Sequence, residues 1–254
     1  MTAGPSPNRL LGGWRNAAHS HRVSQDTDDR PLISVITVVR NGAATLEACI
    51  RSVQAQSYPN VEHIIIDGGS NDGTLDILRR HDGALAYWSS GKDAGIYDAL
   101  NKGVEAVNGR YYVPLGCDDL MTPDGAAAFA RHVGQADIAY GYVRFHRPDH
   151  PPRLIRNHSA GVAIKVDAHR RWGLYDISYR IAADTKFLNV VRRFGTVVHF
   201  DDVVGVFVAG GASGNYARNI REHARAMRES GAWGPLRSFV WLAPRLIRVS
   251  LTQG

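Results

Sequence analysis

Apolar runs that stop abruptly at acidic or polar clusters recur along this chain, separated by segments of helical period. That alternation constrains the fold more than any other feature. RYYVPLGCDDL (110–120) is the sharpest instance: an apolar, aromatic and β-branched run ends at the adjacent carboxylates Asp118 and Asp119. Two like charges side by side at a strand end are costly unless solvent or a cation screens them. HIIIDGGSNDGT (63–74) repeats the design, with glycines after the acid.

The other elements of the first half follow in the same order. LISVITVV (32–39) has the composition of a fully buried strand. After the turn RNGAAT, the segment TLEACIRSVQAQ places Leu46, Cys49, Ile50 and Val53 at helical spacing until Tyr58-Pro59-Asn60 breaks it. VEHIIID (61–67) is the second strand, TLDILRRH a short helix with Leu75 and Leu78 inward, and ALAYWSS (84–90) a third strand. A glycine-interrupted loop and helix, GKDAGIYDALNKGVEAVNG, leads into the strand before Asp118. Thr122-Pro123-Asp124 then carries N-cap and first-turn chemistry for a further helix.

A β-α-β-α-β-α-β order predicts an α/β fold with a mostly parallel central sheet flanked by helices. Right-handed crossovers then set the strand carboxyl ends on one rim, where such sheets bind ligands. Thr37 to Asn41, Asp67 to Asp72, Lys92 to Asp98 and Asp118-Asp119 are expected to converge there.

The second half is more irregular. ADIAYGYVRF (136–145) reads as a strand, HRPDHPPRLIRNH as a Pro-rich basic connection, and SAGVAIKVDAHRRWG as a small-residue stretch turning helical. RIAADTKFLNVVRRFG (180–195) runs into a helix with Phe187, Leu188 and Val191 inward. TVVHFDDVVGVFVAGGASGN supplies two short β-rich pieces and a Gly/Ser loop, and NYARNIREHARAMRES a basic amphipathic helix. The expected organisation is a loose extension at 1–30, one domain over 31–215 whose halves divide at 120, and basic C-terminal helices over 216–254.

At 254 residues and 44% hydrophobic, the chain can bury one substantial core. Two cysteines, Cys49 and Cys117, give neither a disulfide framework nor metal-binding CxxC spacing, so a reducing cytoplasm is expected. No run of about eighteen apolar residues and no secretory h-region is present. The formal charge of +6 suggests phosphate-bearing partners or a membrane surface. Seven arginines (218, 221, 225, 228, 237, 245 and 248) cluster at the C-terminus. No nucleic-acid-binding motif accompanies the charge, so nucleic acid is not the expected partner. The segment GPLRSFVWLAPRLIRVSLTQ suits either a basic amphipathic anchor on an anionic membrane or a helix docked on the domain.

Paired carboxylates without clustered His or Cys suit a hard cation such as Mg2+ or Mn2+, which commonly bridges protein oxygen to substrate phosphates. That combination describes a nucleotide-activated substrate whose departing diphosphate needs charge stabilisation. GGSNDG is not GxGxxG, which argues against a dinucleotide-binding dehydrogenase.

With these motifs in order, ISVITVVRNGAATLEACIRSVQAQSYPNVEHIIIDGGSNDGT and SGKDAGIYDALNKGVEAVNGRYYVPLGCDD resemble the N-terminal half of family-2 inverting glycosyltransferases of GT-A fold. Within that family they are similar to the subgroup that builds bacterial exopolysaccharides and glycolipids of the colanic-acid type. The resemblance implies a GT-A fold with an irregular acceptor-side second half, a nucleotide-diphosphate sugar donor, and a glycan or lipid-linked acceptor in envelope biosynthesis. The expected location is the cytoplasm, with a peripheral contact to the inner face of the membrane if the C-terminal segment is an anchor rather than a docked helix. Position by position, Thr37 and Asn41 match base and ribose contacts, and Asp67 the acid on the base. Lys92, Asp93 and Asp98 match the donor-pocket motif, with Asn101 and Lys102 behind it. Asp119 matches the metal ligand and Asp118 a ribose or sugar contact. Asp184, in RIAADTKF, matches the general base that takes the acceptor's proton. His158 matches a histidine on the acceptor or diphosphate side, with Arg156 near it as a phosphate contact.

Two other readings use the same residues. A sugar-nucleotide nucleotidyltransferase also combines an α/β sheet with carboxylate-bound Mg2+, but it needs a Gly-rich basic loop where TVVRNGAATL has one glycine. A non-enzymatic module binding nucleic acid or an anionic surface is suggested by charge alone.

Overall fold

The computed structural model describes residues 9–16, 26–147, 150–156, 158–208 and 216–234. Its first half is the alternation read from sequence. Strands β2 (Ile33–Val39), β3 (Val61–Asp67), β4 (Tyr87–Ser90) and β5 (Tyr111–Gly116) are linked by helices α1 (Leu46–Gln54), α2 (Thr74–Arg80) and α3 (Ile96–Ala106). The four strands pair in parallel in the order β4-β3-β2-β5. Chain order reverses beside β2, with β3 on one side and β5 on the other. That switch point opens a crevice at the carboxyl ends of β2 and β5.

Two-residue periodicity divides the strand side chains between faces. Val35, Tyr111 and Val113 pack with Cys49 and Val53 of α1 and Phe129 of α4 (Gly125–His132). Ile36 and Tyr112 face the other way, toward Leu100 and Val104 of α3 and Phe187, Leu188 and Val191 of α6 (Ala183–Phe194). Each such aliphatic or aromatic side chain contributes about 1.5–3 kcal/mol by leaving water. Helix α3 comes close to the sheet because Gly103 lacks a side chain: a Cβ there would lie 2.4 Å from Ile36 Cγ2. In α2 the buried face is Thr74, Ile77 and Leu78, with Leu75 only partly covered.

Beyond β5 the sheet becomes mixed. Strands β6 (Leu120–Met121), β7 (Ile138–Arg147), β8 (His150–Ile155), β9 (Val162–Lys165) and β10 (Val197–Val208) complete it, with α5 (Asp167–Trp172) and α7 (Tyr216–Glu229) outside. Strand β9 runs antiparallel to both β5 and β7, whereas β10 is parallel to β7. The Pro-rich segment expected to be a connection is strand β8, paired antiparallel to β7. It is an exposed edge strand, the position in a sheet that tolerates proline. The two β pieces expected in TVVHFDDVVGVF are one strand, β10, with register shifts between His199 and Gly205 that absorb Asp201 and Asp202. The stretch expected only to turn helical begins as strand β9. At α4, Asp124 is the N-cap residue but makes no capping bond; its carboxylate accepts from Ser57 Oγ at 2.6 Å.

The N-terminal extension is not loose at residues 9–16. Strand β1 (Leu10–Gly12) pairs antiparallel with the β4 edge, Leu10 opposite Ser90 and Gly12 opposite Trp88. Arg15 pairs with the buried Glu62 and donates to the Ala106 carbonyl. Burial lowers the Arg15 guanidinium to about 10. No helix among the described residues is long and apolar enough to cross a membrane. The proposed C-terminal anchor over 235–254 lies outside the described residues, as does most of the Gly/Ser loop over 209–215.

Candidate active site

A cavity of about 850 Å3 lies over the crevice between β2 and β5. Its walls include Arg40 and Asn41 after β2, Gly68 after β3, Asp93 after β4, and Asp118 and Asp119 after β5. The second half of the chain adds His158, Arg180, Asp184 of α6 and His223 of α7 to the lining. Residues scattered over more than 180 positions of sequence therefore share one chamber.

The β5 acids are packed tightly. A Cβ at Gly116 would lie 2.8 Å from both Asp118 Oδ1 and Asp119 Oδ2, so the bend needs glycine for space. The Asp119 N–H donates to the Gly116 carbonyl at 3.0 Å, and the Val208 N–H donates to Asp119 Oδ1 at 3.2 Å. Asp119 is 4% exposed. Burial, with a smaller contribution from the Asp118 charge, pushes its carboxyl up to about 7, against these backbone bonds. An acid so placed gains most from an adjacent cation. No group of three or more His, Cys, Asp or Glu gathers into a metal cage among the described residues. The candidate oxygen donors are the carboxylates of this pair, which fits a hard divalent ion whose remaining positions would be taken by water or phosphate.

Asp184 occupies the first turn of α6. The Tyr97 hydroxyl lies 2.9 Å from its Oδ1 and also contacts the Ile181 carbonyl; the Thr185 N–H donates to Oδ1 at 2.8 Å. Burial raises the Asp184 carboxyl above its ordinary range, while the Tyr97 bond, the backbone bonds and the His223 charge act against that rise. The approach to Asp184 is fixed from outside by Glu222 of α7. Its Oε2 accepts from the N–H groups of Arg180 at 2.9 Å, Ile181 at 2.7 Å and Ala182 at 3.3 Å. Arg180 in turn donates from Nη1 to the Ala94 carbonyl at 2.7 Å, crossing to the loop after β4.

His158 Nδ1 accepts from the Ala160 N–H at 3.2 Å, which leaves the proton of the neutral ring on Nε2. Burial against Phe207, whose ring centroid is 4.2 Å away, depresses the imidazolium to about 4. His158 is therefore a neutral N–H donor at physiological pH.

Asn41, Asp93, Asp118, Asp119, His158 and Asp184 line the cavity. The other expected site residues do not. Thr37 is fully buried beneath α1, its hydroxyl 3.0 Å from His63 Nε2, because strand alternation turns it away from the rim. Arg40 and Asn41, at the strand's end, take that place; Asn41 has φ 55° and its Oδ1 accepts from the Asn71 N–H at 3.0 Å. Asp67 is also fully buried, its carboxylate engaged by Ser70 N–H, Ser70 Oγ and Ser90 Oγ. It organises the turn after β3, while neighbouring Gly68 lines the cavity. Lys92 is exposed and outside the lining. Asp98 bonds the Ala94 N–H at 2.9 Å and pairs with Lys102 at 2.8 Å. Asn101 clamps the Tyr175 backbone through both amide atoms, at 2.9 and 3.0 Å. Arg156 stacks 4.1 Å over Tyr142 and pairs with Asp201 at 2.6 Å, away from the cavity.

Arg40, Arg180, Glu222 and His223 escaped the sequence reading. Arg40, beside Asn41, and Arg180, four positions before Asp184, lie next to motifs; α7 displays its acid and histidine amid a basic face with no local sign of what they meet.

Comparison with known proteins supplies a family. The chain matches "Glycosyl transferase family 2" over residues 34–196. A "PGL/p-HBAD biosynthesis glycosyltransferase" of Mycobacterium bovis is 37% identical over 120 residues, 44% of this chain and 47% of that protein. The chain thus spans about half the length of that curated relative. An uncharacterized glycosyltransferase of Mycobacterium tuberculosis is 32% identical over 179 residues, 62% of this chain and 68% of the relative. Among solved structures, the mannosyltransferase PcManGT of Pyrobaculum calidifontis, in complex with GDP-Man and Mn2+, superposes with a TM-score of 0.66 at 19% identity. The match covers 85% of this chain and 69% of that one and shows a shared GT-A fold. A family match over more than half of the chain, on a fold that brings the same motifs to one cavity, leads to one conclusion: the chain belongs to glycosyl transferase family 2.

Proposed function

We propose that this protein is an inverting glycosyltransferase that moves a sugar from a nucleotide-diphosphate donor to a hydroxyl of a glycan or lipid-linked acceptor. The observation that carries the reading is that Asp184 and the Asp118-Asp119 pair line one cavity. The pair offers oxygen ligands for a cation and diphosphate, and Asp184 a carboxylate whose raised proton affinity suits a base. PcManGT, which shares the fold, was solved with a nucleotide sugar and Mn2+, in keeping with a nucleotide-sugar donor and a divalent ion here. Asp119 would hold the Mn2+ or Mg2+, with Asp118 beside it on the ribose or sugar. The ion supplies charge stabilisation for the departing diphosphate.

The chain's own groups do the rest. Asp184 Oδ2 accepts the proton of the acceptor hydroxyl as that oxygen attacks the anomeric carbon from the face opposite the diphosphate, inverting its configuration. Tyr97 and the Thr185 N–H hold Oδ1 and so orient the carboxylate. His158 presents Nε2–H and Arg180 its guanidinium to the anionic side of the chamber.

Family membership favours this reading over the nucleotidyltransferase and the anionic-surface module. The exopolysaccharide and glycolipid subgroup and the envelope role rest on the sequence motifs, and a cytoplasmic location peripheral to the membrane on the cysteine usage and the basic C-terminal segment; the Mycobacterium bovis relative carries the PGL/p-HBAD name instead. The test is a screen of UDP-, GDP- and dTDP-sugars with Mn2+ for thermal stabilisation, followed by NMR of the product's anomeric configuration. A bound donor raises the unfolding midpoint by mass action. Retention of the donor's configuration would sink the single-displacement reading.

A further inference from the structure

We propose that Arg9, 25 residues before the family match begins, is a positioning residue of the donor pocket. The inference rests on the proposed function and adds to it a residue from outside the matched domain. Strand β1 carries Arg9 along the β4 edge and delivers its guanidinium to the loops that follow β3 and β4. Nη1 donates to the carbonyls of Gly91 at 3.1 Å and Lys92 at 3.3 Å, and to Asp93 Oδ1 at 2.8 Å. Nη2 donates to the Asp67 carbonyl and to Ser89 Oγ, both at 3.2 Å. One planar fork thus joins two loops that border the cavity. The absence of a side chain at Gly91 makes the space, since a Cβ there would lie 2.7 Å from Arg9 Cγ.

The consequence falls on Asp93. Its side chain is 5% exposed and that of Arg9 is 6% exposed, so the pair is removed from water. Lys102 Nζ binds the same oxygen, Oδ1. Asp93 Oδ2 is left buried without a hydrogen-bond partner among the described residues, on a side chain that lines the cavity next to Gly68. A buried carboxylate oxygen without a donor is costly. Two cations fixed to its sister oxygen hold it in that place. The geometry suits a ligand group with an N–H or O–H to give, as a nucleobase or ribose has. Arg9 sets the position of that acceptor without touching the nucleotide.

The experiment measures calorimetric Kd values of UDP, GDP and dTDP with MnCl2 for the full chain, its R9A, R9K and D93N variants, and the R9A/D93N double variant. For the nucleotide that wild type binds, R9A is expected to weaken affinity at least tenfold. R9K should recover part of that loss but stay at least threefold weak, because an ammonium cannot span two loops as the fork does. The double variant should bind no more weakly than D93N alone, a non-additivity that loss of global stability does not produce. With wild-type affinity in R9A, or in R9K should R9A not fold, the inference fails while the donor-binding reading stands. Losses that multiply in the double variant also overturn it. If wild type binds no nucleotide, the proposed function falls, and this inference with it.

Discussion

The Tyr97 hydroxyl sits 2.9 Å from Asp184 Oδ1, so a residue of the motif KDAGIYDALN bonds the acid of α6 directly. The contact spans 87 positions of sequence and joins α3 to α6, whose apolar faces pack in one core. It makes the acid's protonation a property of both halves of the protein.

Asp184→Asn keeps the side chain's shape and removes its basicity. Transfer should fall about 1,000-fold, within the range of general-base contributions. Nucleotide affinity should stay at the wild-type value, because the role proposed for Asp184 is toward the acceptor hydroxyl. Steady-state transfer and calorimetric binding check the two halves of this statement.

Asp184 must be unprotonated to act, and burial raises its pKa, so activity should fall with decreasing pH at an acid limb above the usual carboxylate value of about 4. The Tyr97 bond lowers that pKa. Tyr97→Phe removes it and should shift the limb to higher pH. A kcat–pH profile of both proteins decides the sign; a shift to lower pH contradicts the assignment.

Asp119→Asn removes the buried charge best placed to hold the ion. Activity should drop by at least about 100-fold, comparable to losing one preorganised electrostatic contact. Stabilisation by MnCl2 plus nucleotide in a thermal melt should vanish in parallel. A melt of Asp119→Asn that still responds to MnCl2 would place the ion elsewhere.

Glu222→Ala leaves the N–H groups of Arg180, Ile181 and Ala182 without their acceptor; the first is exposed to water, while the other two are partly buried, where an unsatisfied group costs up to about 1–3 kcal/mol. The loop should loosen, and kcat should fall about tenfold with donor affinity unchanged. Hydrogen exchange over residues 180–186 should accelerate relative to the core strands.

Arg15→Ala strands Glu62, which is 1% exposed, without its cation. Breaking a buried pair in this way costs about 3 kcal/mol or more. Urea titration should report that loss, while Kd for nucleotide changes little if Arg9 remains docked.

The first four parallel strands and the helices between them were legible because each is a local pattern: β-branched runs for strands, and three- and four-residue apolar spacing for α1 and α6. The rim acids were legible for the same reason, since a strand that stops at Asp118 announces its own end. Other assignments missed. Thr37 and Asp67 sit in the right motifs, yet the pleat turns one beneath α1 and the tight turn after β3 encloses the other. Strand β8 was hidden because prolines read as a connection unless the strand is known to lie at an edge.

Sequence by itself determined the α/β class, the parallel half of the sheet and the neighbourhood of the acids, all consequences of short-range periodicity and of where strands end. Tertiary structure decided which of those acids face the cavity, that Tyr97 and Glu222 fix Asp184, and that the N-terminal segment inserts Arg9 beside Asp93. These depend on pairings between residues tens of positions apart, which packing and hydrogen bonding select and which no local pattern encodes.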